Sequence, residues 1–86
     1  MLMQHVEFLS KPKGSVSRVR IATTARARYD RPMACVICGY NKAVDVCHIK
    51  DIKDFPNYAT VLEINSQSNL IALCKNHHWE LDHDML

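Results

Sequence analysis

Two short segments, "CVICG" at residues 35–39 and "CKNH" at residues 74–77, constrain this chain more than anything else in it. Each holds two metal-ligating side chains separated by two residues, a spacing that lets one tight turn aim both at a single ion. Gly39 follows the first pair directly and tolerates the backbone such a turn needs. With Cys74 following Cys38 by 36 positions, one ion would tie the front of the domain to its end. A chain of 86 residues needs such a staple, because it buries little apolar surface. Four cysteines accompanied by five histidines favour a metal over a disulfide framework. The expected ligands are Cys35, Cys38, Cys74 and His77, around a structural Zn²⁺ that contributes much of the folding free energy. Two alternatives stay open: a redox dithiol, which lacks its usual βαβ surroundings, and a site in which Cys47 replaces His77.

Between and around these knuckles the pattern is coarse but readable. "SKPKGS" breaks residues 1–14 from the rest, leaving an N-terminal segment of uncertain order. "SVSRVRIAT" alternates imperfectly at Val16, Val19 and Ile21 and reads as a strand. "AVDVCHI" is a second strand, and "DFPNYATVLEINSQS" is an excursion with room for one short helix on Tyr58, Val61 and Leu62. "LIALC" is a further strand, and "NHHWELD" is a helix for which Asn76 is the expected N-cap. Residues 43–83 therefore form a ββα unit, which is a scaffold and not yet a function.

Charge is distributed unevenly. Residues 1–46 carry eight Lys/Arg against three Asp/Glu, and residues 47–86 carry three against six, leaving +5 in front and −3 behind. Five of the cations are arginines in "SRVRIATTARARYDR", which suits a polyanion such as nucleic acid, although a merely solvated basic arm would read the same way. Arg18, Arg20, Arg26, Arg28, Arg31 and Lys50 are the expected phosphate contacts, which position a nucleic acid without specifying its sequence. "MLMQHVEFL" lacks a basic stretch followed by a long apolar one, and no apolar run approaches the roughly 18 residues of a membrane span. The expectation is a soluble, cytoplasmic protein with no membrane partner.

The segment "SNLIALCKNHHWELD" holds more ligand chemistry than one closed site consumes. His78 and Asp82 stand at i and i+4, so a helix projects both from one face. His77 lies about 100° round that helix from His78, which lets the two neighbours serve different ions. Taken in order, "CVICG", "VCHI" and "NLIALCKNHH" resemble the HNH endonucleases, over roughly residues 34–84.

That resemblance implies a small α+β fold: a zinc-stapled, treble-clef-like ββα-metal domain over residues 15–86 with a basic N-terminal extension. It implies His48, Asn69 and His78 as the His, Asn and His of the motif. Histidine near its ordinary pKa is a natural base at neutral pH, so His48 is assigned to deprotonate water. His78 and Asp82 would hold a divalent ion, Mg²⁺, Mn²⁺ or Zn²⁺, with positions open to phosphate oxygens. Asn69 would bond the backbone of the excursion and lock the strand carrying His48. Many members carry Asp or His just before the first histidine, where this chain has Cys47. Cys47 is then either a further, thiophilic ligand reached across a bulge or a small buried residue, and both readings stay open. The implied partner is DNA, double-stranded, cut to 5′-phosphate and 3′-hydroxyl ends. A double-strand break needs a homodimer or successive nicks. The ending "DHDML", where relatives commonly continue into another strand, suits a domain fused to a larger protein, in restriction, phage DNA processing, homing or antiviral defence. The competing class is a non-catalytic zinc-stapled module that binds nucleic acid or protein, and it has no need of the second ligand set.

Overall fold

A computed structural model describes residues 7–86. Its centre is a two-stranded antiparallel sheet, β1 (Val44–His48) paired with β2 (Leu70–Cys74). The register sets Val44 opposite Cys74, Val46 opposite Ala72 and His48 opposite Leu70 on one face. Asp45 opposite Leu73 and Cys47 opposite Ile71 occupy the other face. Helix α1 (Arg18–Arg28) covers the first face: Ala25 and Tyr29 pack on Val44, Leu70 and Ala72, with Met33 and Val46 at the margin. The second face is closed by Cys35, Cys74 and Leu81, which enclose Cys47 and Leu73. Leu81 belongs to α3 (Lys75–Asp82), and α2 (Val61–Ile64) is a single turn within the excursion.

Two polar groups of Ala72 face away from β1 and are both satisfied. Its N–H donates to the Tyr29 hydroxyl at 3.2 Å, and its carbonyl accepts from Val36 N–H at 3.0 Å. The outer edge of β2 is thus sealed by α1 on one side and the first knuckle on the other, which removes a template for pairing with another chain.

The segment "SVSRVRIAT" is helix and not strand. Ser17 caps α1 by accepting from Arg20 N–H at 3.2 Å. The buried positions are Ile21 and Ala25, at i and i+4, while Val19 is 76% exposed. Alternation through Val19 was therefore the wrong period: three alanines between Ala22 and Ala27 favour helix, and tertiary burial of one stripe outweighs the β-preference of Val, Ile and Thr. Thr23 and Thr24 turn their hydroxyls back onto the carbonyls of Val19 and Arg20, which satisfies them within the helix.

Helix α3 starts two residues earlier than the expected cap implies. Cys74 occupies the cap position and Asn76 lies inside the first turn, so Asn76 is not the N-cap. The chain passes from β2 into α3 at Cys74 without a spacer, because Cys74 and His77 must face the same point three residues apart. In the excursion, Val61 and Ile64 are buried, and Thr60 caps the turn by accepting from Glu63 N–H at 3.2 Å. Tyr58 stands outside the helix and is 82% exposed, so the inward stripe is Val61 with Ile64 instead.

Residues 1–6 of the N-terminal segment lie outside the described residues. The rest of that segment is knitted to the excursion. Phe8 is buried with Ile21, Ile52, Ala59, Val61 and Ile64, Pro12 bridges Thr60, and Lys13 N–H donates to Ala59 at 2.7 Å. The division at residue 14 therefore does not separate two packing units among the described residues.

Candidate metal centre and active site

The knuckle residues converge. The ligand atoms of Cys35, Cys38, Cys74 and His77 all lie within 4.8 Å of one another. Cys38 Sγ is 3.9 Å from Cys74 Sγ, and His77 Nδ1 is 3.4 Å from Cys35 Sγ and 3.3 Å from Cys74 Sγ. With zinc–sulfur bonds of about 2.3 Å, the edge of a tetrahedron is about 3.8 Å, so these separations suit one zinc. The turn at Gly39 has φ 79°, the left-handed region that glycine adopts without strain, and Gly39 N–H closes it onto the Cys35 carbonyl at 2.8 Å. Burial pushes the Cys35 thiol up, but the backbone amides of Cys74, Cys38 and Ile37 outweigh it and bring Cys35 down to about 5. The His77 amide lowers Cys74, and the sulfurs of Cys35 and Cys74 raise His77. Amide donors that favour thiolates suit a cationic zinc and are foreign to an apolar core.

Cys47 is not part of this cluster. It is 3% exposed, and burial, followed by the carboxylates of Asp45 and Asp82, pushes its thiol up to about 12. Cys47 packs with Cys35, Leu73 and Cys74 in the buried cluster on the second face. Of the two readings of Cys47, the geometry matches the buried one, and it also leaves the fourth zinc position to His77.

His78 sits beside the zinc cluster and engages a different set of partners. Its Nδ1 is 2.8 Å from Asp45 Oδ2, and its Nε2 is 3.4 Å from Asp82 Oδ2. Asp45 also takes Lys75 Nζ at 2.7 Å; burial raises its carboxyl, but the Lys75 and His78 contacts prevail and lower it. A carboxylate on Nδ1 fixes the ring and keeps its proton there, which turns the Nε2 lone pair toward Asp82. Nε2 and the Asp82 carboxylate, which is more than half exposed, thus stand 3.4 Å apart across one helical turn. Asp45 is absent from the sequence-based site. The signal for it was a lone acid inside an otherwise apolar strand, two residues before Cys47 and on the same face.

His48 ends β1, half-buried, with Nε2 2.7 Å from Asn65 Oδ1. Asn69 clamps the chain just beyond it: Oδ1 accepts from Lys50 N–H at 2.8 Å, and Nδ2 reaches the carbonyls of Lys50 and Ile64 at 3.2 and 2.9 Å. Ile49 N–H donates to the Asn69 carbonyl at 2.8 Å. No hydrogen bond among the described residues joins His48 to His78.

The arginines expected to meet phosphate also have partners within the chain. Arg18 pairs with Asp51 at 3.1 Å, and Arg20 stacks over Phe8. Arg26 donates to the Val44 carbonyl at 2.7 Å, and Arg31 donates to the carbonyls of Gln67 and Leu70. Arg28 is half-buried on α1, and Lys50 lies over the Phe55 ring. Arg26 and Arg31 thus brace the two strand ends, a structural task that composition does not reveal.

The family model of the HNH endonucleases matches residues 35–86, from the first zinc cysteine to the last residue of the chain. The chain belongs to the HNH endonuclease family. No curated protein and no solved structure matches it closely enough to count as a relative. The HNH match covers the zinc cluster, His48, Asn69, His78 and Asp82, and leaves α1 outside. Membership in this endonuclease family supports nuclease activity in general and nucleic acid as the partner. Among the described residues no helix is long and apolar enough to cross a membrane.

Proposed function

We propose that this HNH domain is a metal-dependent endonuclease hydrolysing phosphodiester bonds in DNA. The observation that carries the proposal is the separation of ligand sets on α3. His77 faces the closed zinc tetrad while its neighbour His78 faces Asp45 and Asp82. A purely structural zinc module has no use for the second set.

In this reading His48 takes a proton from the attacking water. Asn69 holds the backbone after His48 so that the imidazole stays in place as charge develops. His78 and Asp82 would hold Mg²⁺, Mn²⁺ or Zn²⁺, which supplies positive charge for the phosphate and leaving oxygen. Asp45 orients His78, and the outer surface of α1 with Lys50 offers phosphate contacts. Cleavage to a 5′-phosphate and a 3′-hydroxyl follows the family pattern, one strand at a time, so double-strand cutting takes two copies or two visits.

One observation favours the competing, non-catalytic module. The strand pleat sets His48 on the face opposite Asp45, the partner of His78. His48 is the last residue of β1, however, and its ring is directed by Asn65 of the excursion. Nicking of supercoiled plasmid by the zinc-loaded protein decides between the two. An added divalent ion should convert supercoiled to open-circular DNA, and single-stranded, methylated and RNA substrates rank its preference. Binding without cleavage in Mg²⁺, Mn²⁺ and Zn²⁺ alike would leave the module reading.

A further inference from the structure

We infer that Asn65 is a positioning residue that holds His48 in one tautomer, with Nδ1 left as the proton acceptor. The inference rests on the reading of His48 as the base. Asn65 is 1% exposed, the one buried polar side chain among the described core residues. It ends α2, where its own N–H returns to the Val61 carbonyl at 2.8 Å. Its side chain bridges two elements: Nδ2 donates to the Ile21 carbonyl of α1 at 3.0 Å, and Oδ1 lies 2.7 Å from His48 Nε2.

Elementary hydrogen-bond accounting fixes every proton in this chain of contacts. The Ile21 carbonyl is an acceptor only, so the amide nitrogen must face it. The amide oxygen then faces His48 and can only accept, so His48 Nε2 must carry a hydrogen. The flipped amide would set oxygen against oxygen at Ile21 in a site sealed from water, which burial penalises. Neutral His48 therefore keeps its lone pair on Nδ1. The contact also survives the reaction: a proton passing from water to Nδ1 gives an imidazolium whose Nε2–H still donates to Asn65. The ring is held alike before and after proton transfer, and no reorientation accompanies the step. Because the anchor is a carbonyl of α1, the base depends on a helix outside the residues that match the family.

Long-range ¹H–¹⁵N correlation of histidine-labelled, zinc-replete protein reads the tautomer directly, with the His48 signals assigned from their loss in His48→Ala. The expected spectrum shows His48 as the Nε2–H form in the parent and as a tautomer mixture in Asn65→Leu. Nicking by Asn65→Leu should slow by about 10²-fold, the loss that an ångström-scale misplacement of a reacting group produces, with zinc content and KM retained. Asn65→Asp, protonated on the oxygen that meets the Ile21 carbonyl, keeps an acceptor facing His48, so it should retain the Nε2–H form that Asn65→Leu loses. An Nδ1–H tautomer in the parent overturns the inference whether or not the variants fold. So does a His48 spectrum unchanged in Asn65→Leu, or loss of the Nε2–H form in Asn65→Asp. If His48→Ala nicks as fast as the parent while the parent shows a fixed Nε2–H form, the base reading fails and the hold of Asn65 on the ring stands.

Discussion

His48→Ala should slow metal-dependent plasmid nicking by about 10²- to 10⁴-fold, the span that general acid–base catalysis contributes, with the zinc cluster intact. The size follows from what the imidazole does: water is a poor nucleophile until a base accepts its proton. The structural cost should be small by comparison. His48 is half-buried at a strand end and, among the described residues, its ring hydrogen-bonds Asn65. Removing it leaves the Asn65 oxygen unpaired, which costs about 1–3 kcal/mol, a cost spread over the fold and not directed at zinc. Rates measured on supercoiled plasmid, with zinc content and far-ultraviolet circular dichroism of the same preparation, separate the two effects. Cutting at the parental rate would remove His48 from the chemistry.

Cys35→Ser should do the opposite and destroy the scaffold. Structural zinc contributes about 10–16 kcal/mol in small zinc modules, against a total stability of about 5–15 kcal/mol for a typical domain. Loss of a ligand from a four-ligand site therefore leaves little to hold this chain folded. Cys35 has a second role, because its side chain is buried against Cys47, Leu73 and Cys74 in the core beneath α3. The knuckle it begins also covers the outer edge of β2 through Val36. The expected result is loss of one equivalent of zinc together with cooperative structure, and a strong chelator should reproduce it on the parent. A Cys35→Ser protein that keeps its zinc and its thermal transition would show that the tetrad is not the staple.

The zinc tetrad and both strands were legible because their information is local. A two-residue gap between ligands and a run of β-branched residues each carry their meaning within a few positions, and Gly39 marks the turn by itself. Helix α1 was not legible in the same way. Val16, Val19 and Ile21 mimic a strand, and the helix is decided by Ala25 and Ile21 finding different partners in the fold, Ala25 against the sheet and Ile21 against the excursion. Asn76 looked like a cap because its side chain is polar, whereas the shared ion at Cys74 and His77 sets where α3 begins. The site partners were hidden by distance. Asp45 meets His78 across 33 residues, and Asn65 meets Ile21 across 44, contacts that no local pattern encodes. The charge of the arginines was plain, but the engagement of Arg26 and Arg31 with backbone carbonyls was not.

The central claim is that two adjacent imidazoles on α3 serve two different sites. Zinc equivalents retained per chain after substitution test it most directly. His77→Ala should shed the structural zinc and with it the fold, while His78→Ala should keep one full equivalent and lose nicking. Loss of the zinc in His78→Ala as well as in His77→Ala would contradict the claim and put both histidines at a single ion.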